Sequence, residues 1–228
     1  MMDWHAAQVS MTLAVLTAGL LLPVGLLLAR WLATTHWPGR AFIEALLLLP
    51  LLLPPTVIGF YFLLWLGRGS ALGAWLAQHH VSLVFSMPGL LLVSWLVNVP
   101  FMVQPIQRAF AAVPNALREA AWVSGLGPWQ TFWRIELPLA WPGLVAGVAL
   151  TMAHTLGEFG VVLMVGGNIP GETRTLSVAI YDRVQSFDFQ GAHVMALALV
   201  GVSIVALTLV LAFDRQSQRK LATQESGA

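Results

Sequence analysis

Two ionisable side chains, His154 and Glu158, lie four residues apart within a long apolar segment. On a helix this spacing places both on one face, where a histidine and a glutamate could bind a metal ion or act as an acid–base pair. A zinc protease would need an H-E-x-x-H motif or an equivalent third ligand, and the sequence contains no such motif. An intramembrane enzyme therefore stays an alternative of another class. We expect no catalytic residue, resident metal or cofactor.

The composition indicates that these residues lie in a membrane. Hydrophobic residues make up 58% of the 228 residues and charged residues only 9%, whereas soluble domains carry roughly 25% charged residues. The apolar residues form long uncharged runs and not the spaced pattern of a helix that faces water. Cysteine is absent, which excludes disulfides and thiolate chemistry. The formal net charge of +1 gives no indication of nucleic-acid binding.

Five apolar runs are long enough to be transmembrane helices, since about 20 residues cross the hydrocarbon core. They lie at about 9–29, 42–66, 85–103, 139–165 and 192–213. Residues 1–8 contain no Lys or Arg, so we interpret the first run as a retained span and not a signal peptide. The sequence thus predicts an all-α membrane protein with a single transmembrane domain over 1–228.

The positions of the basic residues predict the orientation of the chain. Lys and Arg accumulate in short cytoplasmic loops, and eight of the eleven fall in inner segments if the N-terminus lies outside. These eight are Arg30, Arg40, Arg108, Arg118, Arg134, Arg215, Arg219 and Lys220. We therefore expect the N-terminus outside and the C-terminus inside, with residues 214–228 as a cytoplasmic tail.

Prolines and glycines predict where spans bend or pack closely. Span two contains Pro50, Pro54 and Pro55, which lack amide donors and require a kink or a break. Span four contains Gly143 and Gly147, whose spacing allows another helix to approach the backbone closely.

The most specific motif lies in the longest inner loop, residues 104–138, and has the pattern E-A-A-x3-G-x9-I-x-L-P. Its fixed members are Glu119, Ala120, Ala121, Gly125, Ile135, Leu137 and Pro138. Pro114 suits a first helical turn, and Gly125 can supply the left-handed residue that ends the helix. A second helix is expected over 129–135. The alternative is an amphipathic helix that lies on the membrane surface.

This motif resembles the coupling loop of permeases from binding-protein-dependent ABC importers. The resemblance implies a type I ABC importer permease fold in which a cytoplasmic coupling helix docks on a separate ATPase subunit. Here Ala120 and Ala121 would allow close docking and Glu119 and Arg118 would make polar contacts at the rim. Large apolar anchors for the ATPase would be Trp122, Trp129, Phe132 and Trp133. Many family members have a basic residue where this chain has Trp122.

The energy source is expected to be a partner protein. A P-loop needs a lysine that reaches the nucleotide phosphates, and the only lysine is Lys220 in the tail. The resemblance implies a second copy of this chain, two cytoplasmic ABC ATPase subunits and an extracellular or periplasmic binding protein as partners, within the bacterial cytoplasmic membrane. A stand-alone channel or secondary carrier is a further alternative, but the sequence has no convincing internal repeat.

Two segments bear on the transported cargo. Residues 155–160 and 168–175 resemble segments of molybdate permeases, while the related sulfate permeases share mainly Gly157-Glu158-Phe159-Gly160. The resemblance implies molybdate as the cargo, with tungstate and sulfate as alternatives. The spans contain no Lys or Arg at membrane depth. Neutral donors are therefore the pathway candidates, although each is more often a hydrogen-bonded packing residue; they are Thr56, Ser94, Asn98 and Thr155.

Glu158 is a functional candidate because an ionisable residue within a span is costly. A carboxylate would repel a dianion, so we expect Glu158 to stabilise a gate through a hydrogen bond or ion pair, for which Arg174 and Arg183 are candidate partners. The alternative is a carboxyl group that caps a helix break near Gly157 and Gly160.

The outer segment 166–191 is too long for a tight turn and too charged for a span. Residues 178–181 suggest a short helix that lies on the membrane or partly re-enters it. The charged residues are candidate contacts for the binding protein or ordinary solvated loop charges; they are Glu172, Arg174, Asp182 and Arg183.

Overall fold

The computed structural model describes residues 2–225, and every regular element in that range is helical. The helices are α1 Trp4–Thr34, α2 Arg40–Leu52, α3 Pro55–Leu66, α4 Ala71–Gln78, α5 Met87–Ala111, α6 Asn115–Val123, α7 Pro128–Thr131, α8 Leu137–Gly157, α9 Gly160–Gly166, α10 Leu176–Gln185 and α11 Phe189–Glu225. A π-helical segment, Phe132–Glu136, connects α7 to α8 without a break.

Four helical stretches are each long and apolar enough to cross a membrane, and a bent pair supplies the fifth. The four are Trp4–Thr34, Met87–Ala111, Pro128–Gly157 and Phe189–Thr208. The pair is α2 with α3, and the chain bends by 103° between them. Near the start of α2, Glu44 accepts a hydrogen bond from Gln107 near the end of α5. The end of α3 borders a cavity that is also lined by Phe85, just before α5 begins. The pair therefore runs the length of α5, in agreement with five predicted spans.

The bend between α2 and α3 lies at the predicted proline pair. Pro54 precedes α3 with an extended backbone, and Pro55 is the first residue of α3. Proline has no amide to donate and disfavours a helical conformation in the residue before it. Leu53 accordingly leaves the helical conformation, and α2 ends at Leu52.

The fourth span differs from the predicted range of 139–165. The continuous helix begins earlier, at Pro128, and ends at Gly157. Glu158 adopts an extended backbone with ψ of 125°, and the shorter α9 follows. The predicted inner loop 104–138 is correspondingly shorter, because α5 continues to Ala111 and the following helix begins at Pro128.

Helices α1, α5 and α8 form the centre of the bundle. Small residues on α8 allow this packing: a Cβ added at Gly143 would lie 2.7 Å from the Pro105 carbonyl oxygen, and one at Gly147 would lie 2.9 Å from that of Met102. The predicted close approach is thus between α8 and α5. The largest core side chains there are Leu21, Leu32, Met102, Ile106, Phe110, Phe132 and Leu144.

Helix α10 covers one end of this bundle. It corresponds to the short helix predicted around 178–181. Its first amide, from Leu176, donates a 2.7 Å hydrogen bond to the Ser10 hydroxyl of α1, and Ala179 packs beside Ala6 and Met195.

Helix α11 continues to Glu225 through most of the predicted tail, and residues 226–228 lie outside the described chain.

Candidate functional site

The motif at 119–138 forms a short helix followed by a turn. Helix α6 begins immediately after Pro114 and ends at Val123. Gly125 has a φ of +81°, the left-handed conformation that favours glycine. The amide of Leu126 donates to the carbonyl of Ala121 at 3.0 Å, which closes the turn as in a Schellman motif. The predicted positions of Pro114 and Gly125 at the two helix ends are therefore found.

Two faces of α6 have different surroundings. Ala121 is buried, which corrects its expected place on the docking surface, whereas Glu119 and Ala120 are exposed. Apolar side chains beyond them are also open, since Val123 is 89% exposed and Trp122 is 54% exposed. The exposed side of α6 therefore carries two large apolar side chains.

Phe132 does not belong to the exposed aromatic residues. Trp129 and Trp133 are exposed, but Phe132 is buried and stacks on Phe110 with 6.2 Å between ring centroids. Its expected role as an anchor for a partner is wrong, because the π-helical segment turns this ring into the core formed with α1 and α5.

Arg118 is likewise turned inward and is not a rim contact, which corrects the expectation for this residue. Its Nε donates a 2.8 Å hydrogen bond to Glu136, while its other nitrogens donate to the Phe110 carbonyl and the Asn115 side chain. Arg30 of α1 binds the other oxygen of Glu136 at 2.5 Å. We call Arg30, Arg118 and Glu136 the ion triad.

Arg30 and Glu136, which form the ion triad with Arg118, were not identified from the sequence. Glu136 occupies the variable position between Ile135 and Leu137, and Arg30 directly follows the first apolar run. An acidic residue at such a border is a detectable signal. Its two basic partners are distant in sequence, so no local pattern identifies them.

The second half of the motif lies at the start of α8. Ile135 is in the π-helical segment, Leu137 begins α8, and Pro138 is its second residue. The amide of Leu137 donates to the carbonyl of Phe132, five residues earlier. Pro138 has no amide to donate and its ring would clash with the carbonyl four residues before it, which accounts for the widened turn at this point.

Two helix breaks meet within the membrane-spanning region. One separates α2 from α3 at Pro54, and the other separates α8 from α9 at Glu158. A Cβ added at Gly160 would lie 3.2 Å from the Pro55 Cβ and 3.8 Å from the Thr56 amide nitrogen, so the first turns of α9 and α3 are in close contact. Broken helices expose backbone groups at a depth where no bulk water satisfies them.

Glu158 is buried beside the second break, and its partner is not an arginine. Ser94 of α5 donates a 2.9 Å hydrogen bond to Glu158 Oε2, and Oε1 has no hydrogen-bond partner among the side chains and backbone groups that the structure describes. The expected ion pair with Arg174 or Arg183 is wrong, because these arginines bind Asp182 and Asp188 near α10. The break itself agrees with the alternative prediction, but the carboxyl group bonds to α5 and does not cap the broken backbone.

A second polar pair lies on the same two helices. The Asn98 side-chain oxygen lies 3.1 Å from His154 Nδ1, and the Asn98 amide group donates to the Ser94 carbonyl at 2.8 Å. His154 also stacks on Phe101, with ring centroids 4.0 Å apart. We call Ser94, Asn98, His154 and Glu158 the polar cluster. His154 and Glu158 thus bond to different partners on α5.

The two threonines predicted in the pathway lie outside the polar cluster. Thr155 is buried, and its hydroxyl donates to the Thr151 carbonyl of its own helix. Thr56 is exposed in the first turn of α3, next to the meeting point of the two breaks.

The outer segment contains a compact hydrogen-bonded turn. The Asn168 side chain accepts from Arg174 Nε at 2.6 Å and donates to Asp182 at 2.7 Å. Glu172 is exposed at the tip of this turn. Arg174 is therefore held within the chain while Glu172 is open.

A second charged pair lies at the start of α11. Asp188 accepts hydrogen bonds from the Gly191 amide and from Arg183. These bonds, the Gly191 amide first, hold the pKa of Asp188 below its ordinary value. Among the residues whose side chains the structure describes, no group of three or more His, Asp or Glu is placed to hold a metal ion.

Solved structures with the same fold are ABC importers. A bacterial ABC transporter involved in the import of the acidic polysaccharide alginate matches with a TM-score of 0.70 and 20% identity, over 94% of this chain and 78% of that one. An inward-facing MetNI methionine ABC transporter matches with a TM-score of 0.60 and 20% identity, over 95% and 93%. The protein has the type I ABC importer permease fold, as predicted.

Residues 21–222 match the family described as the binding-protein-dependent transport system inner membrane component, and the chain belongs to this family. The molybdenum transport system permease protein ModB of Azotobacter vinelandii is 44% identical over 207 residues, 90% of this chain and 91% of that protein. ModB of Escherichia coli (strain K12) is 33% identical over 92% and 91%. The sulfate transport system permease protein CysW of the same strain is 36% identical over 97% and 77%.

The predicted family is thereby confirmed. The chain is a multi-pass membrane component of a transport system and not an enzyme.

Proposed function

We propose that this chain is the membrane-spanning permease subunit of an ATP-driven importer that carries molybdate into the cell. The observation that carries the choice of cargo is the 44% identity to a molybdenum permease over about nine-tenths of both chains. Sulfate is the second candidate, because a sulfate permease is 36% identical over almost the whole chain. Tungstate has the same charge and shape as molybdate and is grouped with it.

Helix α6 is proposed to dock on the ATPase subunit. Ala121 is buried, and the open side of α6 presents Glu119, Ala120, Trp122 and Val123. Large apolar side chains dominate the energy of interfaces. Gly125 would fix the turn after α6, while Ile135, Leu137 and Pro138 would connect the docking site to the α8 span. The assembly is proposed to contain two copies of this chain and two ATPase subunits.

The pathway is proposed to pass the two facing helix breaks. Ser94 and Asn98 of the polar cluster are neutral donors there, and no Lys or Arg lies at this depth to hold a dianion tightly. Thr56, Asn98 and Thr155 are the proposed pathway residues. Glu158 is proposed to stabilise a gate by holding the end of α8 against α5 through Ser94.

The N-terminus is proposed to lie outside and the C-terminus inside. The motif loop would then face the cytoplasm and α10 would face the binding protein. Glu172 is the proposed contact for that protein because it is exposed. Arg174 would contribute by shaping the turn through Asn168, since its guanidinium already has partners.

The cargo is tested with the complex reconstituted in liposomes together with its ATPase and binding protein. ATP hydrolysis is measured with molybdate, tungstate, sulfate or no anion. We expect stimulation by molybdate and tungstate and none by sulfate at equal concentration. Stimulation by sulfate alone would overturn the proposed cargo.

The orientation is tested by labelling introduced cysteines, because the chain has none of its own. Ser124→Cys after α6 and Glu172→Cys in the outer turn are both exposed positions. A membrane-impermeant thiol reagent should label Glu172→Cys in spheroplasts and Ser124→Cys only after permeabilisation. The reverse pattern would overturn the orientation.

A further inference from the structure

The ion triad joins three separate parts of the chain at one buried carboxylate. Glu136 is 2% exposed and accepts from Arg118 of α6 through Oε1 and from Arg30 of α1 through Oε2. Each carboxylate oxygen therefore holds a different helix, while Glu136 itself lies directly before α8. The triad is the point where α6, α1 and α8 are connected by charge.

Further contacts fix the orientation of both arginines. Arg118 also donates to the Phe110 carbonyl at 2.9 Å, which ties α6 to the end of α5. The Arg30 guanidinium carbon lies 5.0 Å from the centroid of the Phe132 ring, a cation–π distance. An arginine that makes several directed contacts has little freedom to change partner.

Burial of Glu136 and Arg118 makes their connection resistant to local separation, and Arg30, which is 32% exposed, joins them through the same buried carboxylate. A buried carboxylate that loses its partners is left uncompensated in a medium that solvates it poorly, so breaking one contact is strongly unfavourable. Exposed ion pairs, in contrast, are worth little because water replaces the lost partner. When α6 is displaced, the ion triad should therefore stay intact, and the adjoining ends of α1 and α8 should move with α6.

We propose that Glu136 is a positioning residue that makes α6 and the adjoining ends of α1 and α8 move as one unit. The ATPase would then act on α1 and α8 together through the ion triad, although α1 lies far from the motif in sequence. The inference rests on the proposed docking of α6 on the ATPase.

The test compares Glu136→Gln with the wild-type complex in liposomes that contain the ATPase and the loaded binding protein. Glutamine keeps the size of the side chain but removes the charge that holds both arginines. We expect ATP hydrolysis without substrate to be retained, and cargo transported per ATP hydrolysed to fall by about twofold to thirtyfold, the range of coupling effects along such networks. An unchanged ratio in an assembled complex would overturn the inference.

The matched control is Glu44→Gln. Glu44 is also a carboxylate at this end of the bundle, and its hydrogen bonds come from Arg40 of its own helix and Gln107 of α5 and not from α6. We expect this variant to keep the wild-type ratio of transport to hydrolysis. An equal loss in both variants would overturn the specific role of Glu136.

A second variant covers the case in which Glu136→Gln fails to assemble. Arg30→Gln leaves Glu136 paired with Arg118, so the fold of α6 should persist while α1 is released. Spin labels at Thr34→Cys on α1 and Ser124→Cys after α6 report whether the two move together. We expect a broader distance distribution in Arg30→Gln than in the Arg30 parent, and an unchanged distribution would overturn the inference.

Failure of the proposed function would give results different from those that would overturn the role of Glu136. A complex stimulated by sulfate and not by molybdate would change the cargo, while the Glu136→Gln comparison could be repeated with sulfate. A wild-type complex whose α6 does not contact the ATPase would overturn the docking proposal itself, and cysteine cross-linking from Ser124→Cys to the ATPase detects that case independently.

Discussion

The hydroxyl of Ser94 donates a 2.9 Å hydrogen bond to Glu158 Oε2 across the interface between α5 and the end of α8. The two residues are 64 positions apart in sequence. Glu158 directly follows the last residue of α8, and its carbonyl accepts a further hydrogen bond from Ser177 of α10. The position of the break in the fourth span is therefore fixed from two sides.

Ser94→Ala should destabilise the protein. The substitution leaves a buried carboxyl group with neither oxygen bonded among the described residues, and an unsatisfied buried polar group costs about 1–3 kcal/mol. We expect a lower midpoint of thermal unfolding for the purified complex in detergent. Ser124→Ala is the control, since the Ser124 hydroxyl is exposed and bonds only within its helix to Ala120. Equal midpoints for Ser94→Ala and the wild type would contradict the assigned contact.

Gly125→Ala should impair transport more than Gly127→Ala. At neither position would an added Cβ have an atom within 4 Å, so a steric clash is expected in neither variant. Only Gly125 has a positive φ, and a side chain in the left-handed conformation costs about 1–2 kcal/mol. Gly125→Pro should be more severe, because it also removes the amide that donates to the Trp122 carbonyl.

The measurement for these glycine variants is uptake together with ATP hydrolysis. We expect hydrolysis without matching uptake in Gly125→Pro and wild-type behaviour in Gly127→Ala. Normal uptake by Gly125→Pro would show that the turn after α6 is not needed for coupling.

Trp122→Asp should weaken binding of the ATPase. Trp122 is 54% exposed on α6, and loss of an aromatic interface anchor worth about 2 kcal/mol lowers affinity about thirtyfold. Trp37→Asp is a matched control, because Trp37 is 53% exposed but lies in the connection between α1 and α2. Co-purification with the ATPase measures the effect, and an equal loss in both variants would argue against docking through α6.

Acidification should loosen the start of α11. The Gly191 amide and the Arg183 guanidinium favour the charged form of Asp188 and lower its pKa in the folded protein below the ordinary value of 3.8. A group with a depressed folded pKa stabilises the protein above its unfolded pKa, and this contribution is lost as the pH falls through the folded pKa. We therefore expect hydrogen exchange at Gly191, corrected for its intrinsic rate, to accelerate below about pH 4.

Asp188→Asn is the control for this pH dependence. Asparagine can still accept from the Gly191 amide but does not titrate. Its exchange protection should be weaker than that of the wild type at neutral pH and should change less on acidification. A wild-type profile in the variant would show that another group controls this end of α11.

The sequence by itself determined the class of protein and the local structure of its motif. Long apolar runs predict spans because a bilayer excludes unpaired backbone groups. Pro54 and Pro55 predict a break, since proline cannot donate and restricts its neighbour. Pro114 and Gly125 predict the ends of α6 for equally local reasons, and the family of the motif followed from the same short segment.

Only the tertiary structure decided which polar side chains meet. Arg30 and Glu136 are 106 residues apart, and Ser94 and Glu158 are 64 apart, so no periodic pattern relates them. The predicted partner of Glu158 was wrong because arginines near in sequence already bind the aspartates around α10. Buried polar groups pair according to the helix faces that packing brings together, and packing depends on contacts along the whole length of the bundle.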